Sequence, residues 1–302
     1  MGWKILEKKY LNPDQTLFEL VIAAPDIAKK AKGGNFVILR TSEQGERFPL
    51  TVADYDRIKG TITIVIMRAG KSTTELSLKE PGDEILDFVG PLGKCAPIDK
   101  YDHPVVLVGG GVGIAPIYPQ AKELKEKGNH VIAILGARTK ELIFWEEKFT
   151  ALVDEVIITT DDGTYGQKGF VTDRLREQME KHPLSHVIAI GPIIMMKFVA
   201  LLTKGNELKN LPKVPTTVSL NPIMVDGTGM CGGCRFLTLD GQTKFACVDG
   251  PDVDGHNVDY DNLIARNSRF QKVETDRLEK FNHECRLMSQ ANNPNAEGEC
   301  KD

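Results

Sequence analysis

The chain has 302 residues, of which 41% are apolar and 26% charged, and a formal net charge of −4 at pH 7. That length accommodates two or three domains with cores of their own, and the acidic balance argues against nucleic-acid binding, which needs a basic surface. No apolar run approaches the ~20 residues of a membrane span. The opening MGWKILEKKY lacks the apolar stretch of a signal peptide, so a cytoplasmic protein is expected.

In chain order, the first hundred residues read as β-rich. TLFELVIAAP, NFVILR and TITIVIMRAG are short β-branched runs separated by the turn signals NPD, KGG and DRIKG. Such spacing suggests a small antiparallel barrel or sandwich. After PLGKCAPIDKYDHP the rhythm changes. HPVVLVGGGVGIAPIYPQAKELKEKGNHVIAILGAR reads as strand, glycine turn, amphipathic helix, strand, a βαβ unit that implies a parallel sheet. DEVIITTDD, VTDRLREQMEK and HVIAIGP continue it as strand, helix and strand. A cysteine-bearing segment begins near Leu220, and KVETDRLEKFNHECRLMSQ reads as one helix before a tail, ANNPNAEGECKD, of disordered composition.

The expected fold is therefore β plus α/β: an antiparallel β-barrel over residues 1–98, a nucleotide-binding α/β domain over 99–220, a small cysteine segment over 221–270 and an extension over 271–302. The run Gly109-Gly110-Gly111-Val112-Gly113 between a buried strand and a helix lets the backbone approach a diphosphate at the helix N-terminus. The next strand ends in Leu135-Gly136-Ala137-Arg138, with no acid for a ribose 2′-hydroxyl. Arg138 could face a 2′-phosphate or the adenine, which leaves NAD against NADP open.

The order of barrel and nucleotide domain resembles the ferredoxin–NADP reductase superfamily. Arg47-Phe48-Pro49-Leu50-Thr51 stands where that superfamily carries its first flavin segment, and Gly70-Lys71-Ser72-Thr73-Thr74 matches its second, a glycine–hydroxyl turn. The resemblance implies FAD, with Arg47 and the Gly70 turn on the diphosphate and Leu50 and Thr51 along the isoalloxazine ring. Gly90-Pro91-Leu92-Gly93 resembles the turn closing the barrel. Asp161-Asp162 and Gly191-Pro192 resemble the loops lining the nicotinamide pocket. Two departures, Leu50 where an aromatic is common and Ile190 where plant-type members carry cysteine, point to the bacterial branch that includes the dihydroorotate dehydrogenase electron-transfer subunit.

Of six cysteines, Cys231, Cys234 and Cys247 fall in one segment, which in a reducing compartment favours metal binding over disulfides. Asp226-x4-Cys231-x2-Cys234-x12-Cys247 has the form of plant-type [2Fe–2S] ligation with aspartate in the first position. Aspartate is a harder donor than thiolate, so its iron should differ electronically from the other. The competing reading is a structural zinc staple, with His256 or Cys285 as fourth ligand. His182 and His186, separated by Pro183, read as surface positions, Cys95 as a small buried residue and Cys300 as a tail residue.

Nearly the whole chain, with its aspartate-bearing cluster segment and C-terminal extension, resembles the small subunit of NADH-dependent reduced ferredoxin:NADP+ oxidoreductase, an electron-bifurcating transhydrogenase also known as the sulfide dehydrogenase β subunit. The resemblance implies FAD, one [2Fe–2S] cluster and NAD(H) in this chain. It also implies a heterodimer with a larger flavin/[4Fe–4S] subunit that handles ferredoxin and NADP(H). The alternatives are an electron-transfer subunit of a dihydroorotate dehydrogenase, where a fourth cysteine would replace Asp226, and a flavoprotein with a zinc docking module.

Overall fold

The computed structural model describes residues 2–95, 98–205 and 211–292, with side chains as far as residue 283. Cys300, the side chain of Cys285 and the tail from residue 293 lie outside the described residues. No helix among the described residues is long and apolar enough to cross a membrane.

The N-terminal strands are β1 (Trp3–Tyr10), β2 (Leu17–Ala23), β3 (Phe36–Arg40), β4 (Phe48–Thr51), β5 (Asp54–Asp56), β6 (Thr61–Met67), β7 (Glu84–Ile85) and β8 (Asp87–Leu92). They form two antiparallel sheets, β5-β6-β2-β1-β7 and β4-β3-β8, with short helices α1 (Pro25–Lys30) and α2 (Lys71–Ser77). The period-2 pattern fixes which face turns inward. Phe18, Leu20 and Ile22 of β2 stand opposite Ile66, Ile64 and Ile62 of β6, and Val37 and Leu39 of β3 meet them from the other sheet. This is the expected barrel. Gly90-Pro91, read as a turn, lies instead inside β8, where the pairing with β3 shifts register between Phe36 and Ile38. Such an irregularity tolerates a proline that lacks an N–H.

The α/β part runs β9 (Val105–Gly110), α3 (Ile114–Glu126), β10 (Val131–Ala137), α4 (Glu146–Thr150), β11 (Glu155–Thr160), β12 (Gln167–Lys168), α5 (Val171–Lys181), β13 (His186–Ile190), α6 (Ile193–Thr203) and β14 (Thr216–Ser219). Its sheet has the order β12-β11-β10-β9-β13-β14-β17, in which β17 (Asp252–Asp254) is antiparallel to β14. The chain leaves β9 for β10 on one side and reaches β13 on the other. That reversal opens a crevice at the carboxyl ends of the strands. Helix α6, IIMMKFVALLT, was not evident from periodicity because it is apolar nearly all round.

The cysteine segment carries the hairpin β15 (Arg235–Leu237) and β16 (Thr243–Phe245) and helix α7 (Ala246–Asp249), followed by α8 (Tyr260–Asn267) and α9 (Gln271–Asn292). It does not stand apart. Met224, Cys234, Phe236, Ala246 and Cys247 share one core with Val106, Val108 and Ile132 of the parallel sheet. Phe236 is fully buried, and burial of such a side chain stabilises by roughly 1.5–3 kcal/mol. Cys234 and Cys247 are therefore anchored to the parallel sheet.

Candidate redox site

The glycine turn sits at the crevice. β9 passes through a 3₁₀ turn at Gly111–Gly113 into α3. Gly111 has φ +57°, and a Cβ there would meet nothing within 4 Å. It faces open space where a ligand backbone can approach. At Gly113 a Cβ would lie 2.1 Å from the Ile190 carbonyl oxygen, so that glycine is required for packing on β13.

A cavity of about 690 Å³ runs along this edge, lined by Gly110, Gly111, Arg138, Asp161, Pro192 and Phe198 among others. Residues Ala137 and Thr160 are paired in register, so Arg138 and Asp161 leave adjacent strands together. An acid therefore stands beside Arg138, at the end of β11 rather than of β10. Burial in the cleft pushes the Asp161 carboxyl above its ordinary range, against the opposing pull of Arg138. Asp162 is not brought to the cleft. Its Oδ1 accepts from the Thr164 N–H (2.9 Å) and hydroxyl (2.7 Å), which fastens its own loop.

A second cavity of about 320 Å³ lies where three parts of the chain meet: Pro49 and Thr51 of β4, Gly111 and Gly191-Pro192 of the nucleotide domain, and Met224 of the cysteine segment. Strand alternation puts Pro49 and Thr51 on this face, while Phe48 and Leu50 pack against the barrel core. The Leu50 side chain therefore does not line the cavity, and only its main chain is available there.

The Gly70 segment, expected as a turn, forms the N-cap and first turn of α2. The Thr73 hydroxyl accepts from the N–H groups of Ala69 and Gly70 (3.0 Å each), and Thr74 N–H bonds back to the Gly70 carbonyl. The Ser72 hydroxyl donates to Glu46 (3.0 Å), next to Arg47, whose Nε donates to the Val225 carbonyl (3.0 Å). Both predicted flavin segments thus come together at Glu46 and Arg47. Lys71 opens the same turn. Glu46 was not singled out in the sequence because an acid is not a phosphate ligand.

Four donors gather in the cysteine segment as two pairs. The Cys231 thiol lies 3.4 Å from Asp226 Oδ1, and the Cys234 and Cys247 sulfurs are 3.2 Å apart. Left-handed Gly227, Gly229 and Gly232 shape the loop, and a Cβ at Gly227 would strike Leu92 of the barrel at 2.7 Å. Burial opposes ionisation of Asp226, yet N–H donation from Thr228, Cys231 and Met230 holds its carboxyl well below the usual carboxylate range. Burial and the Cys234 thiol push Cys247 up to about 12.

Among the described residues no three His, Cys, Asp or Glu groups converge as one ion would need. Two pairs of donors, one buried and one exposed, instead suit a cluster of two irons with two protein ligands each. Two thiolates on one tetrahedral metal stand ~3.8 Å apart at ~2.3 Å bonds, so the Cys234–Cys247 pair needs only a small opening. His256 is turned elsewhere, with Nε2 on the Thr203 hydroxyl (3.0 Å) in a different cavity. His186 is not a surface residue as expected: it opens β13, bonds Thr217 (2.8 Å) and stacks on Tyr101, because a strand start buries one ring face. His182 is exposed and Cys95 half-buried.

Residues 221–259 match the iron-sulfur cluster binding domain of dihydroorotate dehydrogenase B, and residues 107–200 match an oxidoreductase NAD-binding domain. A dihydroorotate dehydrogenase B (NAD+) electron transfer subunit homolog of Thermotoga maritima is 48% identical over 92% of this chain and 95% of its own length. The chain belongs to this electron-transfer-subunit family. An uncharacterized protein from the adh 3′ region of Clostridium beijerinckii is also 48% identical, over 90% of this chain and 92% of its own. A solved structure of NADH-dependent reduced ferredoxin-NADP oxidoreductase, described in relation to flavin-based electron bifurcation, is similar with a TM-score of 0.84 and 45% identity. The likeness covers 93% of this chain and 98% of that one. The resemblance drawn from the sequence is borne out, and this family member is an oxidoreductase subunit with NAD-binding and iron–sulfur domains.

Proposed function

We propose that the chain is the NADH-oxidising electron-transfer subunit of a bifurcating ferredoxin–NADP oxidoreductase, working in the cytoplasm as a heterodimer with a larger flavin/[4Fe–4S] subunit. The observation that supports this reading is the cavity shared by β4, the glycine turns and Met224, where the segments read as flavin-, nicotinamide- and cluster-binding border one another. Bound FAD supplies the conversion between a two-electron hydride from NADH and single electrons for a [2Fe–2S] cluster.

Residues 1–98 would hold FAD. Arg47 offers a charged fork and Ser72 a hydroxyl to the diphosphate, Lys71 adds a charge, and Gly70, Thr73 and Thr74 set the turn. Pro49, Thr51 and the Leu50 main chain border the ring site. Residues 99–220 would hold NADH: Gly111 leaves room for its diphosphate, Gly110 and Gly113 let the turn pack closely on Met195 and β13, and Gly191-Pro192 borders its nicotinamide. Asp161 would accept from the ribose hydroxyls and repel a 2′-phosphate, with Arg138 beside it in the same cavity. Within 221–270, Asp226 and Cys231 would hold one iron, and Cys234 and Cys247 the other. The extension over 271–302 would reach the larger subunit, through which ferredoxin and NADP(H) are served.

Anaerobic purification followed by assay of iron, zinc, sulfide and flavin tests this. About two irons and two sulfides per FAD are expected. Zinc without sulfide would overturn it. The match to the dihydroorotate dehydrogenase cluster domain favours a second reading, which co-purification of a dihydroorotate-oxidising partner would establish.

A further inference from the structure

Helix α9 does not only extend away from the molecule. Its N-terminal half packs against α2, and Arg277 pairs with Glu46 across 231 residues of sequence. Glu46 also accepts the Ser72 hydroxyl (3.0 Å) and is bonded through the chain to Arg47. Ser72 and Arg47 are the groups assigned above to the FAD diphosphate. A carboxylate stands in their midst.

That placement has an electrostatic consequence. A diphosphate arriving at Ser72 and Arg47 meets the negative charge of Glu46, and Glu46 already holds the hydroxyl the phosphate needs. Arg277 is the cation that neutralises Glu46 and gives it another partner. It comes from the C-terminal helix rather than from the flavin segments. Most of the first ten residues of α9 are exposed, with Leu278 alone partly covered, so few apolar contacts fix this end of the helix.

We propose that Arg277 is a positioning residue for FAD: by pairing with one oxygen of Glu46, while Ser72 holds the other, it offsets the negative charge beside Ser72 and Arg47 and makes α9 a clasp over the flavin-diphosphate site. The inference rests on the FAD reading above. It gives the extension a role within its own chain, besides any contact with a partner subunit.

The test is the rate of FAD release from the full-length chain, purified with its cofactors and followed by recovery of flavin fluorescence. The Glu46 and Arg277 side chains are 43% and 59% exposed, so solvent weakens the pair. Arg277→Gln is expected to speed release roughly two- to fivefold, the range of such exposed pairs. Glu46→Gln should abolish the sensitivity, so that adding Arg277→Gln to it changes little. An unchanged rate in Arg277→Gln overturns the proposal. Equal acceleration with and without Glu46 overturns the route through Glu46, since Arg277 would then act on FAD directly. A wild-type chain that takes up no FAD would instead overturn the functional reading on which the clasp depends.

Discussion

Arg47 donates from Nε to the carbonyl of Val225, 178 residues further along the chain and adjacent to Asp226. One arginine therefore joins the barrel segment expected to bind flavin phosphate to the loop expected to bind iron. The bond stands on the surface, where a single hydrogen bond contributes little to stability. Its position matters more than its energy.

Replacing Arg47 should therefore be felt at both cofactors. Arg47→Ala removes a charge-assisted bond of about 1.5–3 kcal/mol, so FAD affinity should fall roughly 10- to 100-fold. The visible circular dichroism of the cluster should change as well, because the Val225 carbonyl loses its donor. Comparison with flavin-stripped wild-type protein separates the two effects. A cluster spectrum equal to that of the stripped wild type would show that Arg47 serves FAD alone.

Asp226 accepts N–H groups from its own loop, so it could organise that loop without touching metal. The two roles respond differently to substitution. As a ligand, Asp226→Cys should keep two irons and shift the electron paramagnetic resonance of the reduced cluster, while Asp226→Ala should lose most iron and sulfide. Asp226→Ala with full iron and an unaltered resonance would leave only the structural role.

At the nucleotide cleft, Asp161 should discriminate NADH from NADPH. Asp161→Asn is expected to lower kcat/KM for NADH roughly tenfold, through loss of a charged acceptor, and to raise it for NADPH beside the unopposed Arg138. Burial raises the Asp161 pKa. As pH falls, its carboxylate is protonated earlier than an exposed aspartate, so KM for NADH should rise on the acid side. Asp161→Asn should lack that limb; steady-state kinetics from pH 4 to 8 with both nucleotides would decide it.

Two glycines of one turn should fail in different ways. Gly113→Ala drives a Cβ to 2.1 Å from a backbone oxygen, and overpacking of this kind costs about 1–3 kcal/mol of stability. Gly111→Ala has room but keeps φ at +57°, which costs roughly 1–2 kcal/mol and places a methyl group in the cleft. Denaturant unfolding should therefore detect both. Titration with NADH on the folded fraction should find the larger loss in Gly111→Ala, and a larger loss in Gly113→Ala would contradict this assignment.

Much of the molecule follows from local pattern. Alternation in LFELVIA and TITIVIM, the strand–glycine–helix order at Val105–Glu126 and the periodic VTDRLREQMEK each specify an element, because backbone period decides which side chains can be buried. The spacing from Asp226 to Cys247 likewise singles out four donors, because they fall within one short segment of the chain. Other features depended on which strands lie side by side. Register between β10 and β11 put Asp161 beside Arg138, whereas Asp162 turned into its own loop. The bond from Arg47 to Val225 and the approach of Arg277 to Glu46 likewise require long closures of the chain. Their partners are fixed by packing of separate elements, and no local period encodes that packing.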